Sequence, residues 1–231
     1  MHVYLIRHAQ SENNALTPEN IHRRKVDPGL TELGYRQREA LAEFLANETE
    51  FADQSFAIDN LYTSAMFRSL LTTEPVSAAL NLRPRVWLDL HEKGGMFLRQ
   101  NGRVSGFGGL SRSAITRQFP GYRLPDAVTD AGWYDAALAY EPEAHSAFRA
   151  IKVADELLKR SRSDEVIAMV SHAGFLDILL KAIFGQLPSR AYAMRYYHNN
   201  TAITRVDFDG RRPILHYLNR VDHLPPALRS Y

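Results

Sequence analysis

The 231-residue sequence contains no cysteine. A disulfide framework, thiolate catalysis and cysteine-ligated metals are thereby excluded, and a reducing compartment fits. Long apolar runs are missing too: none approaches the roughly 18 residues needed to span a bilayer. A cleaved leader is not expected either, because the richest chemical motif begins at Arg7. Charge of neither sign is in real surplus, with 28 Lys and Arg against 26 Asp and Glu for a net charge of +2. A nucleic-acid binder would carry a larger and more clustered excess. These absences imply a cytoplasmic protein with neither nucleic-acid nor membrane partners. Metal-ligand spacing of the His-x-x-x-His type beside an acid is also lacking, so no metal is expected. What is present, 45% hydrophobic and 23% charged residues, is ordinary globular composition. Its length suits one domain over residues 1–231 rather than two.

Periodicity divides the chain into alternating elements. His2–Ile6 is short, apolar and β-branched, and reads as a buried strand. The turn Asp27-Pro28-Gly29-Leu30-Thr31 leads into a helix capped by Thr31, with Leu33, Ala40, Leu41, Phe44 and Leu45 at helical spacing. Asn60–Thr63 predicts a second strand, and Ser64 a cap for a helix carrying Leu70, Leu71 and Val76, which Pro75 should kink or split. Val86–Leu88 reads as a third strand. From about 94 to 142, scattered Gly, Pro, Arg and aromatics show little period, and this stretch is the natural cap or insertion over a site. A helix follows at about Pro142–Ser161, then the strand Val166–Val170, an apolar helix ending at Gly185, and strands Ala202–Phe208 and Ile214–Leu218 joined by Asp209-Gly210. Strands alternating with helices predict an α/β three-layer sandwich around a mainly parallel sheet, with a terminal hairpin.

In such sheets ligands collect where strands end and helices begin. Arg7 and His8 follow the first strand, Arg68 lies one turn into the helix after the second, and His172 follows the Val166–Val170 strand. Guanidinium forks match phosphate oxygens, each charge-assisted contact contributing about 1.5–3 kcal/mol net. Helix N-termini add backbone donors. A neutral imidazole can attack phosphorus, and a second, protonated one can hold an oxygen. Glu92 follows the third strand on the same edge. A carboxyl beside a bound anion keeps its proton more readily, and could pass it to the leaving alkoxide and then take one from water. In isolation each residue has a plainer reading: His172 as a core histidine, Arg68 as a surface helix residue, Glu92 as a partner of Lys93 or Arg99. The basic run His22–Lys25 reads as a solvated loop, with a substrate-facing role as the minority reading.

Leu5-Ile6-Arg7-His8-Ala9-Gln10-Ser11-Glu12-Asn13-Asn14 resembles the R-H-G-x-[ST]-x-x-N signature of the histidine phosphatase superfamily, phosphoglycerate-mutase-like branch. The resemblance continues at Leu30–Gly34, Tyr62–Arg68 and Val170–Gly174, and fails only from about 94 to 142. It implies that His8 is the nucleophile and phosphate carrier, that Arg7, Asn14, Arg68 and His172 line the phosphate pocket, and that Glu92 is the general acid and base. It implies a phosphoric monoester hydrolase acting on a small phosphorylated molecule without a cofactor. Ala9 and Ala173 stand where glycines are usual, and strain the loop only if their φ is positive. Gln10 replaces the glutamate of the mutases, and their long arginine-bearing segment has no counterpart; both favour hydrolysis. The alternatives are a cofactor-dependent mutase and a non-catalytic phospholigand-binding protein. Arg99, Arg103, Arg112, Arg117 and Arg123 hint at an anionic ligand. Substrate identity and oligomeric state are not encoded in readable form.

Overall fold

The computed structural model describes residues 1–47, 49–51, 54–188, 194–210 and 212–231. In chain order its strands are β1 (His2–Arg7), β2 (Thr49–Phe51), β3 (Gln54–Ser55), β4 (Asn60–Thr63), β5 (Arg85–Val86), β6 (Phe97–Gln100), β7 (Arg103–Gly106), β8 (Val166–Ser171), β9 (Ile203–Phe208) and β10 (Pro213–Arg220). The helices are α1 (Glu32–Asn47), α2 (Phe67–Ala79), α3 (Arg112–Gln118), α4 (Glu143–Lys159) and α5 (Ala173–Ile183). The main sheet has six strands in the order β10-β9-β1-β8-β4-β5. β1, β8, β4 and β5 run parallel, and β9 and β10 fold back as an antiparallel hairpin beside β1.

Strand apolarity follows from burial on both faces. Val3 and Leu5 of β1 point into a core with Ile167, Met169 and α5 residues Phe175 and Leu179. Tyr4 and Ile6 point the other way, toward Leu41 and Leu45 of α1 with Ala168 and Val170. Two helical layers thus sandwich the sheet, as the alternating pattern requires. Among the described residues no helix is long and apolar enough to cross a membrane. The parallel strands bring the residues after β1, β4, β5 and β8 to one carboxyl edge.

Three local expectations need correction. The third strand ends at Val86, and Leu88–Leu90 turns as a short 3₁₀ helix. β4 stops at Thr63, whose carbonyl takes the Trp87 N–H, so the ladder has no further partner strand. Ser64 does not cap a helix, because α2 begins only at Phe67. Its first N–H is held instead by the Asp27 carboxylate at 2.9 Å. Pro75 does not split α2, which runs on to Ala79. Proline removes the N–H that the Leu71 carbonyl would accept, and Arg38 Nη1 donates to that carbonyl at 2.7 Å.

Residues 94–142 contain the hairpin β6–β7 and the helix α3. Met96, Ile115, Phe119, Val128 and Trp133 of this stretch share a core with Ala9, Ala65, Met66 and Leu70 beside the site-bearing edge. Arg112 is structural, donating to the Val128 and Pro125 carbonyls at 2.7 and 2.6 Å. Arg99, Arg103, Arg117 and Arg123 are exposed.

Candidate active site

β1 ends by delivering Arg7 and His8 to the carboxyl edge, where both are buried at 4% and 3% exposure. Gly34 of α1 lets this loop sit close, since a Cβ there would lie 2.1 Å from the Gln10 carbonyl oxygen. Neither Ala9 nor Ala173 is among the positive-φ residues, so the alanines in place of glycine carry no left-handed strain. Ala9 is anchored through its N–H to Thr72 Oγ1 at 3.0 Å.

His8, Arg68 and His172 come together, and the charge of Arg7 reaches His8 and Arg68. Arg68 Nε lies 3.1 Å from His8 Nε2, and the His8 and His172 ring centroids are 5.0 Å apart. An arginine N–H can only donate, so His8 Nε2 accepts and Nδ1 carries the proton. That proton is directed to the Ala9 carbonyl oxygen at 2.7 Å. The resting tautomer therefore leaves a lone pair on Nε2. Burial pushes the His8 imidazole well below its usual range, with Arg68 and Arg7 adding to the effect.

His172, at the start of α5, is fully buried, with Nε2 2.9 Å from Ser64 Oγ and 3.3 Å from Ser69 Oγ. Ser64 Oγ accepts the Met66 N–H at 3.2 Å, which leaves its own proton free to donate to His172. Burial, then Arg68 and His8, push His172 well below the usual imidazole range. This favours the neutral form of His172 in the ligand-free protein, so a charged second imidazole requires a bound anion to offset the burial. Arg7 Nη1 donates to the His198 carbonyl at 2.7 Å, and its guanidinium lies 4.9 Å from the Tyr231 ring centroid. Arg7 Nε and His172 Nδ1 are buried without a protein partner. Buried polar atoms usually have partners, and these two belong to the cluster where an anion is expected; others among the described residues, such as Trp133 Nε1 and His223 Nδ1, lie elsewhere.

Glu92 joins the cluster from the loop after β5. Its Oε2 accepts the Gly174 N–H at 3.1 Å and its Oε1 the Lys93 N–H at 2.8 Å. Gly174 permits this approach, because a Cβ there would stand 2.5 Å from Oε1. Both Glu92 carboxylate oxygens accept from backbone N–H groups, not from the Lys93 or Arg99 side chains of the plainer reading. Its charge acts on both Arg7 and Arg68. Asn14 serves the loop with its amide oxygen, which accepts from Ser11 N and Oγ at 3.1 and 2.9 Å.

Sequence reasoning missed two members. Asp27, read only as a turn residue, places Oδ1 3.9 Å from Arg68 Nη1, and burial pushes its carboxyl up to about 6. Asn200 donates from Nδ2 to the His8 carbonyl at 3.0 Å. No periodic element flags Asn200, and Asp27 sits in an ordinary turn pattern 41 residues before Arg68, so neither carried a local signal. The basic run is exposed, and the charge of Arg24 acts weakly on Arg68.

The sequence matches the histidine phosphatase superfamily (branch 1) over residues 3–221. The chain belongs to that superfamily. Solved structures repeat the fold. A phosphoserine phosphatase from Entamoeba histolytica, crystallised with 3-phosphoglyceric acid, is 17% identical, with 97% of this chain and 99% of that one covered at a TM-score of 0.59. A mycobacterial glucosyl-3-phosphoglycerate phosphatase complexed with VO3 is 20% identical, covering 95% and 99% at 0.60. Bacillus stearothermophilus YhfR is 21% identical, covering 96% and 98% at 0.57. No curated protein matches the chain by sequence. This histidine phosphatase thus has the α/β fold expected from its strand and helix pattern, and the superfamily is the one its motifs resemble.

Proposed function

We propose that the protein hydrolyses a phosphomonoester through a phosphohistidine on His8. The observation that carries this is the His8 Nε2 lone pair, buried beside the Arg68 guanidinium at 3.1 Å and facing a second imidazole. When substrate enters, the Arg68 N–H bonds pass from His8 to phosphate oxygens, as the forked donor geometry allows. Arg7, Asn14 and His172 complete the oxygen shell. Nε2 then attacks phosphorus, the P–O ester bond breaks, and Glu92 gives its proton to the departing alkoxide. Water next attacks the phosphohistidine, Glu92 takes a proton from it, and the P–N bond breaks to free His8. The bound dianion favours the charged form of His172 and opposes the depression caused by burial.

Residues 94–142 form the cap in this reading, since they pack against the edge that carries the site. Two structural neighbours are named as phosphatases, which supports water rather than a second hydroxyl as the acceptor. Their substrates, phosphoserine and glucosyl-3-phosphoglycerate, belong first in a substrate panel. The test is single-turnover labelling. Acid-labile phosphate should appear on the parent and disappear in His8→Ala. Arg68→Ala should lose on the order of 10²–10³ in kcat, the usual cost of one preorganised donor. Parent-like turnover by Arg68→Ala would sink this pocket, and transfer between phosphoglycerate hydroxyls would establish a mutase instead.

A further inference from the structure

The His8 ring is tied to its own backbone through Nδ1, which donates to the Ala9 carbonyl oxygen at 2.7 Å. Its other contact, from Arg68 to Nε2, is given up to phosphate in the proposed reaction. The ring then stands where the backbone puts it, and the backbone of residues 7–10 is held by other elements. The His8 N–H donates to the Ser171 carbonyl at 2.9 Å, the Ala9 N–H to Thr72 Oγ1 at 3.0 Å and the Gln10 N–H to Gln37 Oε1 at 2.7 Å. The His8 carbonyl accepts from Asn200 Nδ2 at 3.0 Å. The Thr201 N–H lies 3.1 Å from the Arg7 carbonyl oxygen and 3.4 Å from that of His8.

Gln37 of α1 and Asn200 before β9 are fully buried, and carboxamides so deep need a partner for each polar atom. One chain of hydrogen bonds supplies them, and its ends are backbone groups that can act in only one sense. The Gln10 N–H must donate, so Gln37 offers it Oε1. Nε2 of Gln37 then turns to the Leu228 carbonyl at 2.7 Å and to Ser230 Oγ at 2.8 Å. At the other end the His8 carbonyl must accept, so Asn200 offers it Nδ2. Asn200 Oδ1 is left to accept the Ser230 hydroxyl at 3.0 Å. Ser230, in the segment after β10, thus accepts from one amide and donates to the other. The chain runs from the Gln10 N–H through Gln37, Ser230 and Asn200 to the His8 carbonyl, gripping the nucleophile on both sides. Buried networks satisfied in this way rigidify what they hold.

Backbone strain marks the same point independently. Thr201 has a φ of 57°, a left-handed conformation in which a β-branched residue is an outlier. Such residues persist where their surroundings over-determine them, and they gather at functional sites. Here the Thr201 N–H serves the Arg7 and His8 carbonyls, and Oγ1 lies 2.8 Å from the Asn200 carbonyl and 3.0 Å from His223 Nε2. We propose that Asn200 is a positioning residue for His8, acting with Gln37 and Ser230 to keep the ring in line with phosphorus once Arg68 has let it go. The assignment rests on the phosphatase reading above. Asn200 holds a carbonyl and no reacting atom. Its effect therefore falls on the rate of attack, and not on the grip of the anion by Arg7, Arg68 and His172.

The experiment follows p-nitrophenyl phosphate in the parent, in Asn200→Ala, in Ser230→Ala and in the double variant. It reads the single-turnover rate of phosphoenzyme formation, kcat, KM and the inhibition constant of inorganic phosphate. Asn200→Ala should slow phosphoenzyme formation at least about tenfold, with KM and phosphate inhibition within about threefold of the parent, as misplacement of a reacting group does. Ser230→Ala cuts the chain away from the site and should slow the same step, and Ser230→Thr, which keeps the hydroxyl, should recover most of that loss. Since both residues act through one chain, the double variant should be no slower than Asn200→Ala alone. Ser230 is half-buried, so its two variants carry the test if Asn200→Ala does not fold. Parent-like phosphoenzyme formation in Asn200→Ala and Ser230→Ala overturns the assignment while the phosphatase reading stands. So do losses that multiply in the double variant, or that weaken phosphate inhibition as much as the rate. A parent that forms no phosphoenzyme removes both.

Discussion

At the scale of single residues, the resting site is arranged by one donor. Arg68 Nε–H occupies the His8 Nε2 lone pair, so in the proposed mechanism the guanidinium both covers the nucleophile and stands where it would grip the phosphate. Asp27 governs that guanidinium from behind. It holds the Phe67 N–H at 2.9 Å, which sets the first turn of α2, and stands 3.9 Å from Arg68 Nη1. Asp27→Asn keeps an oxygen for the Phe67 N–H and removes the charge. It should therefore leave Tm near the parent value and lower kcat by about tenfold at pH 8, one pKa unit's worth of interaction. Burial lifts the Asp27 carboxyl to about 6, so the parent itself loses this charge on acidification. The parent-to-variant kcat ratio should shrink toward one as pH falls from 8 to 5. A ratio that stays constant across that range would show that Asp27 acts only through shape. Nothing in the local pattern Val26-Asp27-Pro28-Gly29 separates this role from an ordinary turn acid. Arg7, His8, Arg68 and His172 stood out as candidates because each ends or follows a strand or opens a helix, within motifs that resemble those of the superfamily.

At the scale of elements, local period recovered what local sequence controls. β1, β4 and β8 are short apolar runs bounded by polar residues, and α4 and α5 follow single amphipathic or apolar patterns. The misreadings, at Ser64, Pro75 and Leu88, are places where a distant residue supplies or withholds a hydrogen bond. The same holds for the support under Glu92. Arg149 of α4 forks onto both Glu141 oxygens at 2.9 and 2.7 Å, and its Nη1 also reaches the carbonyls of Asp89 and His91 at 2.5 and 2.8 Å. The Glu141 N–H takes the Gly94 carbonyl at 2.8 Å. One buried ion pair thus grips the Glu92 loop on both sides and ties it to α4. Burial alone would raise the Glu141 carboxyl, but the Arg149 fork, with His91 Nε2 3.6 Å from Oε1, holds it down at about 2. Arg149→Met leaves that charge unpaired and should cost about 3–5 kcal/mol of stability. Arg149→Lys keeps the charge without the fork, and should lower kcat by on the order of tenfold with little change in KM, as misplacement of a positioned group does. If Arg149→Lys lowers Tm while kcat stays at the parent value, the ion pair supports the fold and not the acid.

At the scale of the whole molecule, burial of so many imidazoles sets the pH range in which the protein stays folded. His8 and His172 are pushed well below their ordinary 6.5, and burial brings His198 and His223 down to about 4. In the unfolded chain each titrates near 6.5, so between about 6.5 and 4 the unfolded state binds protons that the folded state refuses. Stability must then rise with pH across this window and fall as pH drops through it, each such proton contributing about 1.4 kcal/mol per pH unit. Asp27 opposes this trend, since its raised carboxyl binds a proton in the folded state between 3.8 and about 6. It is one group against several. Glu141 strengthens the acid limb below 4.5, where its unfolded form protonates while the folded form stays charged. Thermal unfolding should therefore give a Tm that is nearly level from pH 7 to 8 and drops steeply from pH 6.5 to 4.5. Calorimetry at pH 5 in buffers of different ionisation enthalpy should register uptake of more than one proton on unfolding. A Tm that holds level down to pH 4.5 would mean that these imidazoles reach solvent, and that His8 and His172 do not share a dry pocket.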